Sequence, residues 1–287
     1  MYYAIVIAAT VLLAFEFALY KKYQSSEGTG IVAGLKCNML SGLFTTVIFF
    51  AFSGFKLEFS WFSLLMAFGV SLCAITYCTI GFQILKSGGM ALYSLFLMLG
   101  GMLLPYLFGV LFLEEALTLL RIAGVVLIVA SVVLSGKAKY NFSTGVYLLC
   151  FAVFLLNGTV SILSKCHQIG IAYSPVSSAG FVMYLGITKF LLSGAVLLFC
   201  KQEGNGRFFS AKSAPMAVLG AAVFGGVSYM LQLMGAKELP ATVLYPIVTG
   251  GSIIFSALSG KVFYKEKLSV YQIISIALCF AATLLFL

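Results

Sequence analysis

The sequence is built from apolar runs close to twenty residues long, and these runs limit what the chain can fold into. An α-helix rises about 1.5 Å per residue, so such a run spans the roughly 30 Å hydrocarbon core of a bilayer. Lipid offers no hydrogen-bond partner to free backbone groups, so each run is expected to be a helix. The composition agrees, since 9% of the 287 residues are charged, whereas a soluble domain is about 25% charged. The sequence therefore predicts an all-α integral membrane protein.

Ten transmembrane helices are predicted, with short polar connections between them. The first run lacks a basic region before it and contains Glu16, so it is expected to be a retained helix rather than a signal peptide. The predicted helices lie at about 2–20, 31–53, 60–85, 90–112, 117–135, 144–164, 176–199, 213–235, 241–263 and 268–287. No connection could hold a soluble domain, so a multi-pass protein of the cell membrane that acts within or across the bilayer is expected.

Composition and motifs disfavour several classes of function. The net charge of +9 comes from Lys and Arg residues that lie mostly in the connections, where they set orientation and meet anionic headgroups. Nucleic-acid binding is therefore not expected. The seven cysteines form no C-x-x-C pair and are interpreted as small apolar packing residues. The sequence has no catalytic set, phosphate loop or metal-ligand cluster, so no enzyme, cofactor or metal is expected.

The chain contains an internal repeat with an offset of 151 residues (260 − 109 = 151). The repeated residues are Gly109, Phe112 and Glu115 in the first copy and Gly260, Phe263 and Glu266 in the second. A Leu-Thr or Leu-Ser pair follows each Glu. The repeat predicts two five-helix halves, at 1–136 and 141–287, and an odd number of helices means that the second half enters the membrane upside down. Inverted repeats are typical of secondary transporters, whose equivalent halves expose one central site alternately.

Ten helices in two five-helix repeats, with a fourth helix ending in a Gly/Phe/Glu-x-Leu-Thr turn, resemble the EamA-type members of the drug/metabolite transporter superfamily. The resemblance implies a basket of eight helices around a central cavity, with helices five and ten at the side as scaffold. It also implies export or uptake of small metabolites, such as amino acids, without ATP hydrolysis. Many members carry a Trp midway along the first helix, whereas the only Trp here is Trp61. Pocket contacts of other members therefore do not transfer to this chain.

Glu16 is the first candidate for a functional residue. It lies about two-thirds of the way along the predicted first helix, and a carboxylate inside a membrane helix usually faces a cavity, a partner or a proton path. Glu16 is therefore predicted to bind protons or an ammonium group of the substrate. The alternative places it near the interface, paired with Lys21 or Lys22.

Other polar and aromatic residues lie on helices that the family places around the cavity. Uncharged polar groups are predicted to contact substrate at Gln83, Asn157 and Gln232, with interhelical hydrogen bonding as the alternative. Aromatic walls with a hydroxyl group are predicted at Tyr77, Tyr93, Tyr229 and Tyr245, with packing or the interfacial belt as the alternative.

Helices four and nine carry helix-breaking residues at equivalent positions of the two halves. These residues are Gly100, Gly101, Pro105, Pro246, Gly250 and Gly251. Interrupted helices free backbone groups and permit bending, so these positions are predicted to serve gating. Close helix packing through small residues is the alternative.

The two motif glutamates are interpreted mainly as structural. Glu115 and Glu266 lie just after helices four and nine, where a carboxylate near a helix N-terminus offsets the helix dipole. A role in coupling is the alternative. Thr118 and Ser269 are predicted to cap the helices that follow.

Three more polar residues lie at or inside apolar runs. Lys36 and Lys189 are interpreted as snorkelling or paired side chains; Lys189 is closer to the middle of its helix, which favours a partner or a cavity for it. His167, the sole histidine, is placed at the end of helix six and is interpreted as a loop or interfacial residue rather than a pH sensor.

The sequence thus predicts a secondary transporter, exporter or exchanger, that moves a small metabolite such as an amino acid, with proton coupling as one option. An ion channel and a membrane sensor or assembly protein are the alternatives. A monomer or a homodimer is expected. Orientation stays open, because the basic residues of the connections favour termini outside the cell and the family implies termini inside.

Overall fold

The structure, a computed structural model, describes residues 1–28, 30–86, 90–135, 143–200, 209, 211–265 and 269–286. The described residues form ten α-helices and one short 3₁₀ turn, without a strand. The helices are α1 (Tyr2–Glu27), α2 (Ile31–Phe52), α3 (Trp61–Lys86), α4 (Met90–Phe112), α5 (Leu119–Ser135), α6 (Thr144–Ile169), α7 (Ser178–Phe199), α8 (Ala214–Glu238), α9 (Ala241–Tyr264) and α10 (Val270–Leu284). The predicted all-α membrane architecture is confirmed.

The helices fall into two groups by length. In the described part of the chain, eight helices are long and apolar enough to cross a membrane, whereas α5 and α10 are shorter apolar helices. The 15 residues of α10 rise about 22 Å at 1.5 Å per residue, which is less than the roughly 30 Å hydrocarbon core. Both short helices border stretches, 136–142 and 266–268, that lie outside the described residues.

Helices α1 and α6 continue beyond the polar residues at which they were predicted to end. Helix α1 continues to Glu27 rather than to residue 20, and α6 continues to Ile169 rather than to residue 164. Neither extension contains Gly or Pro before Gly28 and Gly170, so nothing breaks the backbone hydrogen bonds at the first polar residue. The extension of α6 carries two polar side chains, described below, into the interior.

Hydroxyl groups cap several of the described helix starts. Ser177 accepts a hydrogen bond from the Gly180 N–H at the start of α7. Ser269 and Gln272 form a reciprocal capping box on α10, and Thr118 accepts a hydrogen bond from the Arg121 N–H on α5. The predicted caps at Thr118 and Ser269 are thus confirmed. Each cap satisfies a backbone donor that has no partner within its own helix.

The packing of the helices is nearly unchanged when each helix is exchanged with the one five places along. Helix α1 packs on α8 and α9, while α6 packs on α3 and α4. The exchange likewise converts the packing of α2 on α8 into that of α7 on α3. The pairs α2–α7, α4–α9 and α5–α10 are each converted into the same pair. Helices α5 and α10 lie together against α4 and α9. The other eight helices therefore form one bundle with α5 and α10 attached at its side.

Glycines allow two pairs of helix backbones to touch. A Cβ on Gly42 of α2 would come within 2.7 Å of the Gly186 carbonyl oxygen on α7. A Cβ on Gly100 of α4 would come within 2.2 Å of the Phe154 carbonyl oxygen on α6. Backbone cannot move aside as a flexible side chain can, so any larger residue at these crossings must separate the helices. Small residues at such crossings are the usual means of close packing in membranes.

We expect Gly100→Ala to lower the free energy of unfolding by about 1–3 kcal/mol, because the added methyl group meets backbone atoms of Phe154. Gly145→Ala is the matched control, since a Cβ there lies 3.8 Å from its nearest neighbour, Ser143 Oγ. Thermal unfolding of both variants in detergent, followed by circular dichroism, measures the difference. Equal melting temperatures for the two variants would contradict the close α4–α6 crossing.

Candidate functional site

Glu16 lies half-buried on α1 and faces the interior of the bundle. Its carboxylate rests against Gly225 of α8, where a Cβ would lie 2.3 Å from the carboxylate. The hydroxyl of Tyr20, one turn along α1, donates a hydrogen bond to it, and Lys189 of α7 attracts it electrostatically. The Tyr20 hydroxyl also lies 3.4 Å from the Ser41 hydroxyl on α2. The carboxylate is therefore held between α1 and α8, with a lysine from a third helix opposite.

The structure brings five of the eight predicted substrate-binding residues together. Tyr77 of α3 lies close enough to Tyr93 of α4 and Tyr229 of α8 to interact electrostatically with both. It also lies within electrostatic range of Glu16, and Tyr245 of α9 lies within such range of Tyr229. We call these five residues, Glu16, Tyr77, Tyr93, Tyr229 and Tyr245, the central cluster. It draws on five helices, of which α1, α3 and α4 lie in the first half of the sequence and α8 and α9 in the second.

Hydrogen bonds to α6 fix two of the tyrosines. The Tyr229 hydroxyl lies 2.5 Å from the Ser164 hydroxyl, and the Tyr245 hydroxyl donates to the Ser161 carbonyl oxygen at 2.5 Å. The hydroxyls of the half-buried Tyr77 and Tyr93 have no hydrogen-bond partner among the described residues. The central cluster therefore combines two anchored rings, two rings with available hydroxyls and one carboxylate.

The three predicted amide residues do not join the central cluster. Asn157 Nδ2 donates to the Leu97 carbonyl oxygen on α4 at 2.7 Å. Gln232 Nε2 donates to the Ser228 hydroxyl at 3.1 Å, and that hydroxyl donates to the Ala9 carbonyl oxygen on α1. Asn157 thus serves interhelical hydrogen bonding, the alternative named for it, whereas Gln232 bonds within α8 to a serine that itself bonds α1. The Gln83 side chain lies exposed near the end of α3, and its contact with substrate stays a prediction.

The predicted interruptions of helices four and nine are absent. Helix α4 runs unbroken through Gly100, Gly101 and Pro105, and α9 does so through Pro246, Gly250 and Gly251. The physical reason is visible at Pro105, which removes the hydrogen bond that the Gly101 carbonyl would receive. The Ser161 hydroxyl of α6 donates to that carbonyl instead, at 3.3 Å. A polar neighbour therefore compensates for the proline without a break in the helix.

The glycines of these helices mark crossings. A Cβ on Gly101 would come within 2.6 Å of Asn157 Nδ2, and one on Gly251 would come within 2.7 Å of Thr10 Oγ1 on α1. These glycines therefore allow close packing of the helices, which was the alternative interpretation. Their role in gating stays a prediction.

Glu115 caps a helix of the other half of the chain. Its Oε1 accepts a hydrogen bond from the Ala241 N–H at 2.7 Å. Its Oε2 accepts from the Thr242 N–H at 2.8 Å and the Thr242 hydroxyl at 2.7 Å. A carboxylate at a helix N-terminus satisfies free N–H groups and the positive end of the dipole. The structural interpretation of Glu115 is confirmed, although the helix it caps is α9 rather than the following α5.

The two phenylalanines of the repeat motif lie at the surface. Phe112 and Phe263 are largely exposed, the first at 72%, so their rings lie on the outer surface. Gly109 lies against Glu115 and Ala241, which is consistent with the need for a small residue beside the capping carboxylate. Glu266 lies outside the described residues.

Lys165 binds the end of α8, directly before the start of α9 that Glu115 caps. Its ammonium donates to the carbonyl oxygens of Ala236 and Leu239, each at 2.7 Å, at the C-terminus of α8. These carbonyls lack partners within α8, and a cation there complements the negative end of the dipole. The α8–α9 corner is therefore fixed by Lys165 on one side and Glu115 on the other. The predicted helix six ended at residue 164, which left Lys165 in a connection, whereas α6 continues to Ile169.

His167 is also buried rather than interfacial. Its side chain is 0% exposed and is stacked on Phe181, with ring centroids 3.7 Å apart. Nε2 lies 2.8 Å from the Ser63 hydroxyl, and Nδ1 lies 2.9 Å from Gln168 Nε2. The expectation of a loop residue is wrong for the same reason as for Lys165: α6 continues to Ile169. The described residues contain no group of three His, Cys, Asp or Glu side chains placed to hold a metal ion.

Comparison with known proteins identifies the fold and the family. The model of the EamA-like transporter family matches residues 143–287. A solved crystal structure has a TM-score of 0.77, with 17% identity over 98% of this chain and 95% of the other; at that identity it supports the fold alone. No curated protein matches the sequence. The resemblance drawn from the repeat motif is thereby confirmed.

We expect Glu115→Ala to destabilise the protein by about 1–3 kcal/mol, since it leaves the N–H groups of Ala241 and Thr242 without an acceptor. Glu114→Ala is the matched control, because Glu114 is the exposed neighbour in the same turn. Thermal unfolding in detergent measures both variants. A loss of stability for Glu114→Ala as large as that for Glu115→Ala would contradict the capping role.

Proposed function

Because the chain belongs to the EamA-like transporter family, we propose that it is a secondary transporter of a small metabolite, such as an amino acid. The family establishes a multi-pass membrane protein of the transporter type. The central cluster supports the more specific proposal, because it places a carboxylate and four tyrosines inside the bundle. Aromatic walls with a few placed polar groups are typical of small-molecule sites.

We further propose that the chain consists of two inverted five-helix halves, at 1–136 and 141–287. The exchange of each helix with the one five places along preserves the main packing pairs, which supports two equivalent halves. In such an arrangement, the two halves rock about a central site and expose it to one side of the membrane at a time. Gating would then bend or tilt α4 and α9, whose glycines and prolines occupy equivalent positions.

The observation that carries the proposal is the position of Glu16. An intramembrane carboxylate is costly, and such groups mark substrate or proton paths. Glu16 lies within electrostatic range of Tyr77 of α3, which in turn lies within range of Tyr93 of α4 and Tyr229 of α8, so the group draws on both proposed halves. It is the group proposed to bind either the substrate's ammonium or a coupling proton, in an exporter or an exchanger. A channel would instead require rings of charged side chains or a carbonyl filter, and nothing in the described residues favours one.

The test is counterflow in proteoliposomes preloaded with a panel of unlabelled metabolites. A carrier exchanges labelled for unlabelled substrate with saturable kinetics, whereas a channel passes current without saturation. We expect saturable exchange by the wild type. No exchange of any compound by monodisperse, correctly inserted protein would contradict the proposed function.

We expect Glu16→Gln to slow exchange about tenfold or more, since a hydrogen bond to a charged group contributes roughly 1.5–3 kcal/mol. The pH dependence of exchange should also change. Glu238→Gln is the matched control, because Glu238 is exposed at the end of α8. Unchanged transport and an unchanged pH profile for Glu16→Gln would remove Glu16 from the mechanism.

A further inference from the structure

Lys189 lies midway along α7, where it cannot reach the membrane surface. It is the twelfth of the 22 residues of Ser178–Phe199, so about 16 Å of helix separates it from the start of α7. A lysine near a helix end can extend its ammonium to the interface, but this distance exceeds the length of the side chain. The charge must therefore be accommodated inside the bundle.

The surroundings of Lys189 include an opposite charge. Glu16 of α1 attracts it, and the thiols of Cys37 on α2 and Cys78 on α3 lie within its electrostatic range. Cys78 in turn has a hydrogen bond with Asn38. Lys189 thus faces a region bounded by α1, α2 and α3, and two of its neighbours there, Glu16 and Cys78, also lie within electrostatic range of Tyr77.

Glu16 and Lys189 attract one another without forming a contact pair. Among the pairs of described helices with extended packing, α1 pairs with α8 and α9, and α7 pairs with α2 and α3. Helices α1 and α7 are not among these pairs, so the two charges act across the interior of the bundle. Glu16 receives a hydrogen bond from Tyr20. Within the described part of the chain, the ammonium of Lys189 has three donors and no hydrogen-bond acceptor.

From this arrangement we infer that Glu16 and Lys189 are the two poles of one site for zwitterions, with Lys189 as the residue that selects the anionic group. The inference rests on the proposed transport function and specifies its substrate class. The cargo's ammonium lies at Glu16 and its carboxylate at Lys189, while the tyrosines of the central cluster contact the rest of the molecule.

The charge pair explains what the site would reject. A cation without a carboxylate meets Glu16 favourably but is repelled by Lys189. An anion without an ammonium is attracted by Lys189 but is repelled by Glu16. Like charges brought together in a poorly hydrated site cost several kcal/mol, so discrimination of this kind is strong. Phosphate esters are disfavoured for the same reason, because one lysine does not offset a dianion that faces a carboxylate.

The experiment compares three labelled pools in counterflow by wild type and variants. The first pool is the proteinogenic amino acids, which are zwitterions. The second is their α-amides, which are cations, and the third is their N-acetyl derivatives, which are anions. We expect the wild type to exchange the amino acids at least about tenfold faster than either derivative pool.

Reciprocal gains of activity are the decisive result. Lys189→Gln should admit the amides, because the repelling charge is gone, and Glu16→Gln should admit the N-acetyl derivatives. Each variant should exchange the amino acids more slowly, and Lys189→Arg should keep the wild-type order because it keeps the charge. A misfolded protein cannot gain a substrate, so these outcomes do not depend on unchanged stability. Lys237→Gln is the matched control, since Lys237 is exposed at the end of α8.

Several results would overturn the inference. The two residues do not form the poles of the site if Lys189→Gln and Glu16→Gln keep the wild-type substrate preference. The same conclusion follows if both variants exchange none of the three pools. If the wild type exchanges compounds of the metabolite panel but not the amino-acid pool, the inference fails and the proposed function stands. If the wild type exchanges nothing, both fail.

Discussion

The cost of leaving a polar group without a partner in hydrocarbon governs this structure. Water is absent there, so each backbone group and each charge must find its partner within the chain. The helix ends show how this is achieved. Glu115 accepts the N–H groups at the start of α9, Glu58 accepts the Ser177 N–H before α7, and Lys165 donates to the end of α8. In each case the charged side chain comes from a distant part of the sequence, so the same contacts that satisfy the backbone also join one segment of the chain to another.

Much of the fold could be predicted from the sequence, because hydropathy and the physics of lipid act locally. The apolar runs locate the ten helices, and the motif at Gly109 and Gly260 points to the family. Helix ends were less predictable. Lys165 and His167 resemble the polar border of a membrane helix, yet both are buried, because partners on α8 and α3 compensate for their polarity. Such partners are remote in sequence, and no local pattern reveals them.

The candidate site also combines features that the sequence predicts with features that it does not. Glu16 and the four tyrosines were predicted because a carboxylate in a membrane helix and paired tyrosines of a repeat are local signals. The approach of Lys189 to Glu16 was not predicted, since it depends on how α1 and α7 lie around the interior. The role of Gln83 stays a prediction. The direction of a side chain near a helix end depends on the rotation of that helix, which its neighbours determine, so polarity alone does not place Gln83 in the cavity.

The charges of the interior therefore differ in how they are held. Glu115 and Lys165 are fully engaged with backbone groups, so the α8–α9 corner they hold resists any change that would leave those groups unpaired. Gly42 and Gly100 bring helix backbones into contact, which limits independent movement of α2 against α7 and of α4 against α6. Glu16 and Lys189 are not held in this way, because each attracts the other across the interior and the lysine lacks an acceptor in the described chain. Folding does not explain why the chain retains charges in the membrane that lack full compensation. Binding of a cargo with complementary charges does explain it.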